Sequence, residues 1–269
     1  MADLPIRDDF DKLKNLLQLR YGMDLSPYGR EFLERRLARR LERWHIAGYM
    51  DYVVILKRHP EEREELLRVL SINVTEFFRD LGVYESLEKR VLPEMLLRRG
   101  HTGELRVWSA GCATGEEAYT LSMILHNFIR GHNPDLKYSV QATDINAQSI
   151  EFARKAVYAG EAAAAVPEPY GRYFERIEGA VMIRSTARDA VRFSKHDLTS
   201  MKELPIADLI VCRNVLIYMS ASGRDSIMGF FHRTLSRGGF LILGGIESLT
   251  AENLFAPFDV AHNVYEKIG

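Results

Sequence analysis

The chain has 269 residues, of which 46% are hydrophobic and 27% charged, with a formal net charge of −1. The composition is ordinary for a globular protein. The net charge near zero means that the chain as a whole has no excess of positive charge that would attract nucleic acid. No apolar run approaches the roughly 20 residues that span a bilayer, the charged N-terminus lacks a signal peptide's apolar core, and two cysteines argue against a disulfide framework. We therefore expect a cytoplasmic protein without direct membrane insertion.

The first hundred residues carry helical patterns. Leucines among charges predict a helix near the start, and a second helix is predicted over 28–45 because its apolar residues recur at steps of four, four and three. That stripe consists of Leu33, Leu37, Leu41 and Trp44. Further helices are predicted around 49–59, 61–72 and 81–100.

After residue 103, short apolar runs alternate with amphipathic stretches. Strands are predicted around 105–111, 137–145, 207–214, 238–245 and 262–269. Strand–helix alternation of this kind predicts an α/β domain with a mostly parallel sheet. We place the domain boundary near residue 90, which gives a helical domain over 1–89 and an α/β domain over 90–269.

The alternation breaks between about 157 and 195. Two β-like runs, Val181–Ile183 and Ala190–Phe193, are joined there by a polar turn. This pattern predicts a small antiparallel subdomain inserted into the sheet domain.

A glycine loop, Gly111-Cys-Ala-Thr-Gly115, follows the first predicted strand, at the edge where doubly wound sheets bind ligands. A P-loop requires Lys-Ser or Lys-Thr after its second glycine, and a dinucleotide site requires G-x-G-x-x-G with pyrophosphate at the helix N-terminus. Here Glu116 and Glu117 follow instead, and their carboxylates would repel phosphate. S-adenosylmethionine has an ammonium, a sulfonium and no phosphate, so a glutamate in this loop can pair with it.

The second strand ends at Asp144. An acidic residue at this point accepts hydrogen bonds from the ribose hydroxyls of an adenosine-containing cofactor, a feature that NAD enzymes share. A structural alternative exists for both acidic features: Glu116 and Glu117 stabilise a helix N-terminus, and Asp144 caps the next helix.

Two further segments carry polar residues at informative places. Arg213 and Asn214 follow an apolar strand at the same edge of the sheet and would face the ligand crevice, with Tyr218 close behind, although VLIYM alone is typical of a core helix. The segment SINVTEFFRD, residues 71–80, lies at the domain junction, which is a natural wall for a cleft. Its alternative interpretation is that Thr75 or Asp80 caps a helix and the phenylalanines are core.

In order along nearly the whole chain, these segments resemble the chemotaxis receptor glutamate methyltransferases of the CheR type. The resemblance is carried by SINVTEFFRD, VWSAGCATGEEAY, ATDI, KHDL and CRNVLIYM. The combination of N-x-T-x-F-F-R with S-A-x-x-x-x-G-E-E is highly specific. It implies a helical N-terminal domain and a Rossmann-like S-adenosylmethionine-dependent methyltransferase domain with a β-subdomain at about 157–195.

The resemblance implies transfer of a methyl group to glutamate carboxylates of chemoreceptors, giving glutamate γ-methyl esters and S-adenosylhomocysteine. No metal is implied. Arg79 and Tyr218 fall where the family has its residues nearest the transferred methyl, and Asp197 stands where a family member can have Asn. The cofactor-binding positions implied by the motifs are Asn73, Thr75, Arg79, Gly111, Glu117 (methionyl end), Asp144 (ribose), Asp197 and Leu198 (adenine), Arg213 and Asn214.

The second helix also carries a basic face at i, i+3, i+4 and i+7. Its residues are Arg36, Arg39, Arg40 and Arg43. A solvated helix surface is the alternative, but family members dock an acidic, helical receptor coiled coil with a basic helix of this domain. We therefore expect this face to dock the cytoplasmic methylation region of a chemoreceptor.

Some family members also tether to a receptor's C-terminal pentapeptide through a longer, glycine-containing turn of the β-subdomain. Here FERIEGAVMIR is compact, so we expect a pentapeptide-independent enzyme, and nothing demands more than a monomer. Two other hypotheses are an S-adenosylmethionine enzyme acting on a small molecule or nucleic acid, and a degenerate domain that senses cofactor or binds a signalling partner. The N-terminal domain and CRNVLIYM, in place of an Asn-Pro-Pro-Tyr-type motif, argue against the first. The intact Glu117, Asp144, Arg79 and Tyr218 argue against the second.

Overall fold

The computed structural model of the protein describes residues 5–70, 75–99 and 103–269. The chain divides into two compact units, one of Met1–Ile72 with Tyr218–Ile227 and one of Asn73–Ile217 with Met228–Gly269. In the first unit the predicted helices are α1 (Pro5–Tyr21), α2 (Arg30–Arg43), α3 (Tyr49–Arg58) and α4 (Glu61–Leu70).

The core of the helical unit contains the first half of the apolar stripe predicted for α2 together with residues of its neighbours, whereas Leu41 is only partly buried and Trp44 lies just after the end of the helix. Leu33 and Leu37 are fully buried, as are Tyr52 and Leu56 of α3. The segment Tyr218–Ile227 is joined to this unit by two backbone contacts. Tyr28 and Met219 form an antiparallel β-bridge, and the N–H of Gly29 donates to the carbonyl of Tyr218 (2.9 Å).

The second unit begins with a continuous helical stretch made of α5 (Leu81–Ser86), a π-helical turn (Leu87–Val91) and α6 (Leu92–Arg99). Pro93 has no N–H that could donate to the carbonyl of Lys89. The N–H of Leu92 donates to the carbonyl of Leu87, five residues earlier, which is the hydrogen bond of a π-helical turn. The predicted boundary at residues 89 and 90 lies inside this stretch, whereas the two compact units divide between residues 72 and 73.

A seven-stranded sheet forms the centre of the second unit, in the order β6-β2-β1-β7-β8-β10-β9. The first five strands in this order pair in parallel, and β10 lies antiparallel between β8 and β9. The strands are β1 (Glu104–Ala110), β2 (Lys137–Asp144), β6 (Val191–Lys195), β7 (Ala207–Cys212), β8 (Leu235–Leu243), β9 (Phe255–Asp259) and β10 (Val264–Lys267).

Helices lie between the parallel strands along the chain. They are α7 (Glu116–His132) and α8 (Ala147–Lys155), which pack on the sheet, the short α9 (Ser185–Arg188), which packs on α7, and α10 (Ala221–Thr234). The strand order reverses direction between β1 and β7, which is the switch point where such sheets bind ligands. Among the described helices, none is both long enough and apolar enough to span a membrane.

A separate three-stranded antiparallel sheet has the order β3-β5-β4, with β3 at Val157–Ala159, β4 at Phe174–Ile177 and β5 at Ala180–Ile183. The prediction that Ala190–Phe193 belongs to this insertion is wrong, because β6 pairs in parallel with β2 at the edge of the main sheet. An edge strand alternates buried and exposed residues, as β6 does, and its pattern therefore resembles that of an antiparallel hairpin. The predicted α/β fold with a helical domain and a small antiparallel insertion is otherwise confirmed.

Candidate active site

The carboxyl edge of the parallel strands gathers most of the predicted cofactor residues of the sheet unit. The glycine loop follows β1, Asp144 ends β2, and Arg213 and Asn214 follow β7. Adjacent parallel strands end at one edge, so the order β2-β1-β7 places these three groups side by side.

Both glycines of the loop are required by backbone conformation. Gly111 and Gly115 have φ values of +84° and +96°, in the left-handed region that glycine favours. A Cβ at position 111 would lie 2.5 Å from Cγ2 of Val215, so a side chain is excluded there. The N–H groups of Gly111 and Cys112 both donate to the carbonyl of Thr143 (2.8 and 2.9 Å), which fastens the loop to the end of β2.

The two glutamates after the loop have different surroundings. Glu117 is buried; its Oε1 accepts a hydrogen bond from the Ser109 hydroxyl (2.7 Å), and its Oε2 lies 3.6 Å from Nη1 of Arg213. Glu116 accepts a hydrogen bond from the hydroxyl of Thr114 (2.7 Å) within the loop. Burial raises the pKa of both carboxyls, and for Glu117 the nearby Arg213 opposes that rise without cancelling it.

Arg213 is the centre of a charged cluster in the sheet unit, with a side chain that is 2% exposed. Its Nη1 donates to the hydroxyl of Tyr84 (3.0 Å), and its Nη2 donates to the backbone carbonyl of Arg79 (2.9 Å) and to the carboxylate of Asp80. Burial alone would lower the pKa of Arg213, but Tyr84, Glu117 and Asp80 together raise it. The guanidinium is therefore a permanent cation that ties the start of this unit to the strand end.

The segment SINVTEFFRD is described from Thr75 onward, and the predicted cofactor residue Asn73 lies outside the described residues. Thr75 is partly buried. Phe77 packs edge-on against Tyr158 at a centroid distance of 4.9 Å, and the N–H of Phe78 donates to the hydroxyl of Thr120 (3.2 Å). Both phenylalanines are buried, which agrees with the core interpretation of these two residues.

Backbone geometry on both sides of Arg79 is unusual. Phe78 and Asp80 have φ values of +54° and +59°, which are uncommon for residues other than glycine. Asp80 precedes α5 but makes no capping hydrogen bond through its side chain, which instead pairs with Arg213. The interpretation of Asp80 as a helix cap is thus replaced by an ion pair that holds a bend at Arg79.

Asp144 accepts one backbone N–H on each carboxylate oxygen. Ala113 donates to Oδ2 (2.9 Å) and Asn146 to Oδ1 (2.8 Å). Burial raises the pKa of Asp144, and these backbone hydrogen bonds lower it by less. The alternative that Asp144 caps α8 is not observed, because the side chain of Asn146 caps that helix. Each oxygen of Asp144 retains acceptor capacity for a ligand hydroxyl.

Asp197 and Leu198 follow β6, the neighbour of β2. Oδ1 of Asp197 accepts hydrogen bonds from the N–H (2.9 Å) and the hydroxyl (2.7 Å) of Thr199, and this caps a single 3₁₀ turn. Leu198 is buried in that turn. Asp197 therefore has a local structural role, and its predicted contact with adenine stays a prediction.

Asn214 has a φ of +59° and donates its backbone N–H to Oε2 of Glu247 (3.0 Å). It lines a groove of about 460 Å³ in the sheet unit, together with Arg79, Leu81 and Ile246. Ile246 is 76% exposed, so the groove has an open apolar lip.

Tyr218 belongs to the helical unit. Its ring packs on Phe32 of α2 at a centroid distance of 4.9 Å, and the guanidinium of Arg36 lies 5.4 Å from the centre of the same Phe32 ring. Burial lowers the pKa of Arg36, as do the neighbouring Arg39 and Arg35.

The predicted docking arginines on α2 are not equivalent. Arg40 is largely buried, where it pairs with the carboxylate of Glu62 through Nε (2.7 Å) and Nη2, and the hydroxyl of Tyr52 donates to the same carboxylate (2.6 Å). Arg39 and Arg43 are exposed. The face thus contains one structural arginine and two that are open to a partner.

The residues of the sheet edge fit S-adenosylmethionine. Burial raises the pKa of the Glu117 and Asp144 carboxyls, and the neighbouring donors and cation do not cancel that rise. A cationic ligand beside Glu117 would stabilise the ionised carboxylate. Nε of Arg213 is buried and has no hydrogen-bond partner within the described part of the chain. The side chain of Val215 packs closely against Gly111 of the glycine loop. The negative charges of Glu116 and Glu117 disfavour a phosphate group at this loop. A ligand with a cationic ammonium group and ribose hydroxyls fits the carboxylates of Glu117 and Asp144.

Three residues of the site were not found from the sequence: Tyr84, Asp80 as an ion-pair partner, and Glu247. Tyr84 lies in a helix whose pattern indicates only core packing, and Glu247 lies in a turn without a recognised motif. The ion pair of Asp80 could have been anticipated, because an acidic residue directly after a predicted functional arginine is expected to pair with a nearby cation.

Two stretches of the chain match two domains of one methyltransferase family, and they divide where the two units do, at residues 72 and 73. Residues 73–264 match the CheR methyltransferase SAM binding domain, and residues 8–71 match the CheR methyltransferase all-alpha domain. The sheet unit is therefore a methyltransferase domain that binds S-adenosylmethionine. More particularly, the chain belongs to the CheR methyltransferase family.

Relatives agree with this assignment. The chain is 33% identical over 248 residues to chemotaxis protein methyltransferase 1 of Pseudomonas aeruginosa, which covers 90% of each chain. It is 32% identical over 230 residues to the chemotaxis protein methyltransferase of Listeria monocytogenes, which covers 85% of each. A 31% match over 261 residues to an uncharacterized 104.1 kDa protein of Rhodobacter capsulatus covers 96% of this chain but spans only 27% of that longer protein.

Proposed function

We propose that this protein is a glutamate O-methyltransferase that acts on the cytoplasmic methylation region of chemotaxis receptors and so serves sensory adaptation in the cytoplasm. The proposal follows the family's expected role, and one observation of this chain carries it. The backbone carbonyl of Arg79 accepts a hydrogen bond from Arg213, which fixes the position of Arg79. Arg79 also lines the groove beside Asn214. An arginine in that position can bind an acceptor carboxylate with its planar fork of donors.

The chemistry requires orientation more than acid–base catalysis. A glutamate side chain has an ordinary pKa of about 4.3, so at neutral pH the acceptor is already an ionised nucleophile and needs no general base. When bound, S-adenosylmethionine supplies a methyl group on a positively charged sulfur, whose bond to that carbon breaks, leaving the electron pair on sulfur, as the ester bond forms. Arg79 orients the acceptor carboxylate, and Tyr218 lines the methyl-transfer region through its hydroxyl.

The remaining predicted residues are proposed to hold the cofactor. Glu117 binds the ammonium of the methionyl end, Asp144 binds the ribose hydroxyls, and Leu198 flanks the adenine. The other proposed contacts are those of Asn73, Thr75, Arg79, Gly111, Asp197, Arg213 and Asn214.

The direct test incubates the protein with methyl-labelled S-adenosylmethionine and receptor-containing membranes. We expect label on the receptor that is released by mild base, as a glutamate methyl ester is. Base-stable label, or label on a small molecule or nucleic acid, would identify a different methyltransferase. Cofactor binding without transfer to any acceptor would indicate a sensing domain.

The exposed part of the basic face on α2 is proposed to dock the receptor. Charge complementarity with an acidic coiled coil would speed and orient association, and the effect would weaken with salt. Since Arg40 is committed to Glu62, the docking surface reduces to Arg39 and Arg43, with Arg36 at its edge.

We predict that the double substitution Arg39→Glu and Arg43→Glu lowers kcat/KM for receptor methylation about tenfold at low salt, with a smaller loss at high salt. The Kd for S-adenosylhomocysteine should not change. The double substitution Lys57→Glu and Arg58→Glu makes the same total charge change at exposed positions of α3 and is the matched control. Equal methylation by the double variant and the parent at every salt concentration would remove the docking role. Reversal at Arg40 is unsuitable, because it would break a buried ion pair.

Methylation is also proposed to be independent of a receptor pentapeptide, and the enzyme to act as a monomer. The β4–β5 hairpin closes with only Glu178 and Gly179 between the paired residues Ile177 and Ala180. Calorimetric titration with a receptor C-terminal pentapeptide should give no binding at micromolar concentrations. A micromolar Kd would contradict this prediction.

A further inference from the structure

We propose that Glu247 is a positioning residue for the cofactor site, because its carboxylate fixes the loop after β7 that carries Arg213 and Asn214. The proposal rests on S-adenosylmethionine binding within the proposed function, and it does not depend on which acceptor is methylated. Glu247 lies in the turn after β8 and is 6% exposed.

Four backbone N–H groups donate to this one carboxylate. Its Oε1 accepts from Val215 (2.8 Å) and Leu216 (2.7 Å), and its Oε2 accepts from Asn214 (3.0 Å) and Gly244 (2.6 Å). A carboxylate has about four acceptor sites, so these bonds fill its capacity. Glu247 therefore acts through the backbone that it holds and not by contact with a ligand.

Three of the donors are consecutive residues, 214–216, directly after the end of β7. Successive N–H groups that converge in this way form a concavity that binds anions, and in nucleotide sites the anion is often phosphate. Here the protein's own carboxylate fills the concavity. Asn214 is held with φ at +59° as part of the same bend.

The turn that presents Glu247 is itself held in place. The N–H of Glu247 donates to the carbonyl of Gly244 (3.0 Å), and the side-chain amide of Asn263 donates to the carbonyls of Gly244 (2.8 Å) and Glu247 (3.0 Å). A Cβ at position 244 would lie 2.7 Å from Oε2 of Glu247 and 2.9 Å from the nitrogen of Asn214. The space around Gly244, between the Glu247 carboxylate and the backbone of Asn214, is therefore too small for a methyl group.

Two walls of the cofactor site depend on the loop held in this way. Arg213 comes directly before the three donors, and its side chain pairs with Glu117 and Asp80. Val215 is one of the donors, and its Cγ2 packs against Gly111 of the glycine loop. A shift of the loop would move the cation beside Glu117 and the contact under the glycine loop at the same time.

A purely structural role is the competing explanation, and Asp208 provides the comparison. This second buried carboxylate lies at the opposite end of β7, where it accepts the backbone N–H of Arg106 and the hydroxyl of Ser236, both at 2.9 Å. Loss of either carboxylate should destabilise the fold, because buried donors lose their acceptor. Only loss of Glu247 should also change the cofactor site.

The experiment measures the Kd of the full chain for S-adenosylhomocysteine by calorimetry, together with Tm, for Glu247→Gln, Gly244→Ala and Asp208→Asn. Glu247→Gln keeps the shape of the side chain but places an amide NH₂ against two N–H donors. Gly244→Ala removes no hydrogen-bonding group and only pushes the carboxylate and the Asn214 nitrogen apart. We expect both to raise Kd about tenfold or more. Asp208→Asn should lower Tm while Kd stays within about twofold of the parent value.

Each outcome decides the proposal. An unchanged Kd for Glu247→Gln overturns it, and if that variant does not fold, an unchanged Kd for Gly244→Ala overturns it instead. An equal loss of affinity in Asp208→Asn would also overturn it, since general destabilisation would then explain the effect. In a receptor methylation assay, KM for the cofactor should rise more than kcat falls. Failure of the proposed acceptor chemistry would leave every Kd value unaffected.

Discussion

Replacing Arg79 by alanine is expected to lower kcat/KM for receptor methylation about a hundredfold or more, because the acceptor carboxylate then loses the group that orients it. The fold should persist. It is the backbone carbonyl of Arg79 that accepts the hydrogen bond from Arg213, and alanine keeps that carbonyl. Arg79→Lys should recover only part of the activity, because a single ammonium keeps the charge but not the planar fork.

The same assay should include Tyr218→Phe and a control. Phenylalanine keeps the ring that packs on Phe32 and removes only the hydroxyl, so a loss of activity would assign a role to that hydroxyl. Arg237→Ala removes an exposed arginine at the start of β8 and should behave like the parent. Wild-type kcat/KM in both Arg79→Ala and Tyr218→Phe would show that neither residue serves the transfer step.

Much of the residue arrangement at the carboxyl edge of the sheet could be predicted because strand ends are local features. Once alternating runs are assigned to parallel strands, the residues that follow each run must meet at one edge. The glycine loop and Asp144, which follow β1 and β2, were placed correctly on this basis. Arg213 was placed at the edge too, but its partners were not predicted.

The missed contacts join residues that are distant in sequence. Arg213 bonds Tyr84 and Asp80 at separations of 129 and 133 residues, and Glu247 holds a loop about 30 positions earlier. Periodicity and motif spacing report only on neighbouring residues, so they contain no signal for such pairs. The incorrect assignment of Ala190–Phe193 has a related cause, since the partner of β6 is fixed by the tertiary fold and not by its alternating pattern.

Basic side chains on α2 show the same limit at a surface. The helical spacing of the four arginines is correct, yet spacing alone does not distinguish Arg40, which Glu62 engages, from the exposed Arg39 and Arg43. Glu62 is buried at the start of α4 and is linked to Tyr52 as well. A charge pattern predicts which residues share a face, and the packing of the next helix decides which of them remain available.

Substitution of Glu117 by glutamine is expected to weaken S-adenosylhomocysteine binding about tenfold to a hundredfold, because a charge-assisted hydrogen bond to the ligand ammonium is lost. Binding of 5′-methylthioadenosine, which lacks the amino-acid end, should stay within about twofold of the parent value. Glu116→Gln is the matched control, since that neighbouring carboxylate is engaged by Thr114. Equal losses for both ligands would place Glu117 away from the ammonium.

The same substitution should stabilise the ligand-free protein at neutral pH. Burial raises the pKa of Glu117 above the ordinary value of 4.5, so the folded protein binds this proton more tightly than the unfolded chain does. The stability gained from the proton is fully present below pH 4.5 and is lost as pH rises through the raised pKa. Glutamine is neutral at every pH and can still accept the hydrogen bond from Ser109.

Thermal unfolding of Glu117→Gln and the parent between pH 4.5 and pH 8 measures this effect. The Tm of the variant should exceed that of the parent at pH 8, and the difference should shrink toward pH 4.5. A lower Tm for the variant across the whole range would mean that the ion pair with Arg213 outweighs burial. With the expected result, the carboxylate lowers stability in the free protein and improves cofactor affinity, which is the trade-off expected of a binding residue.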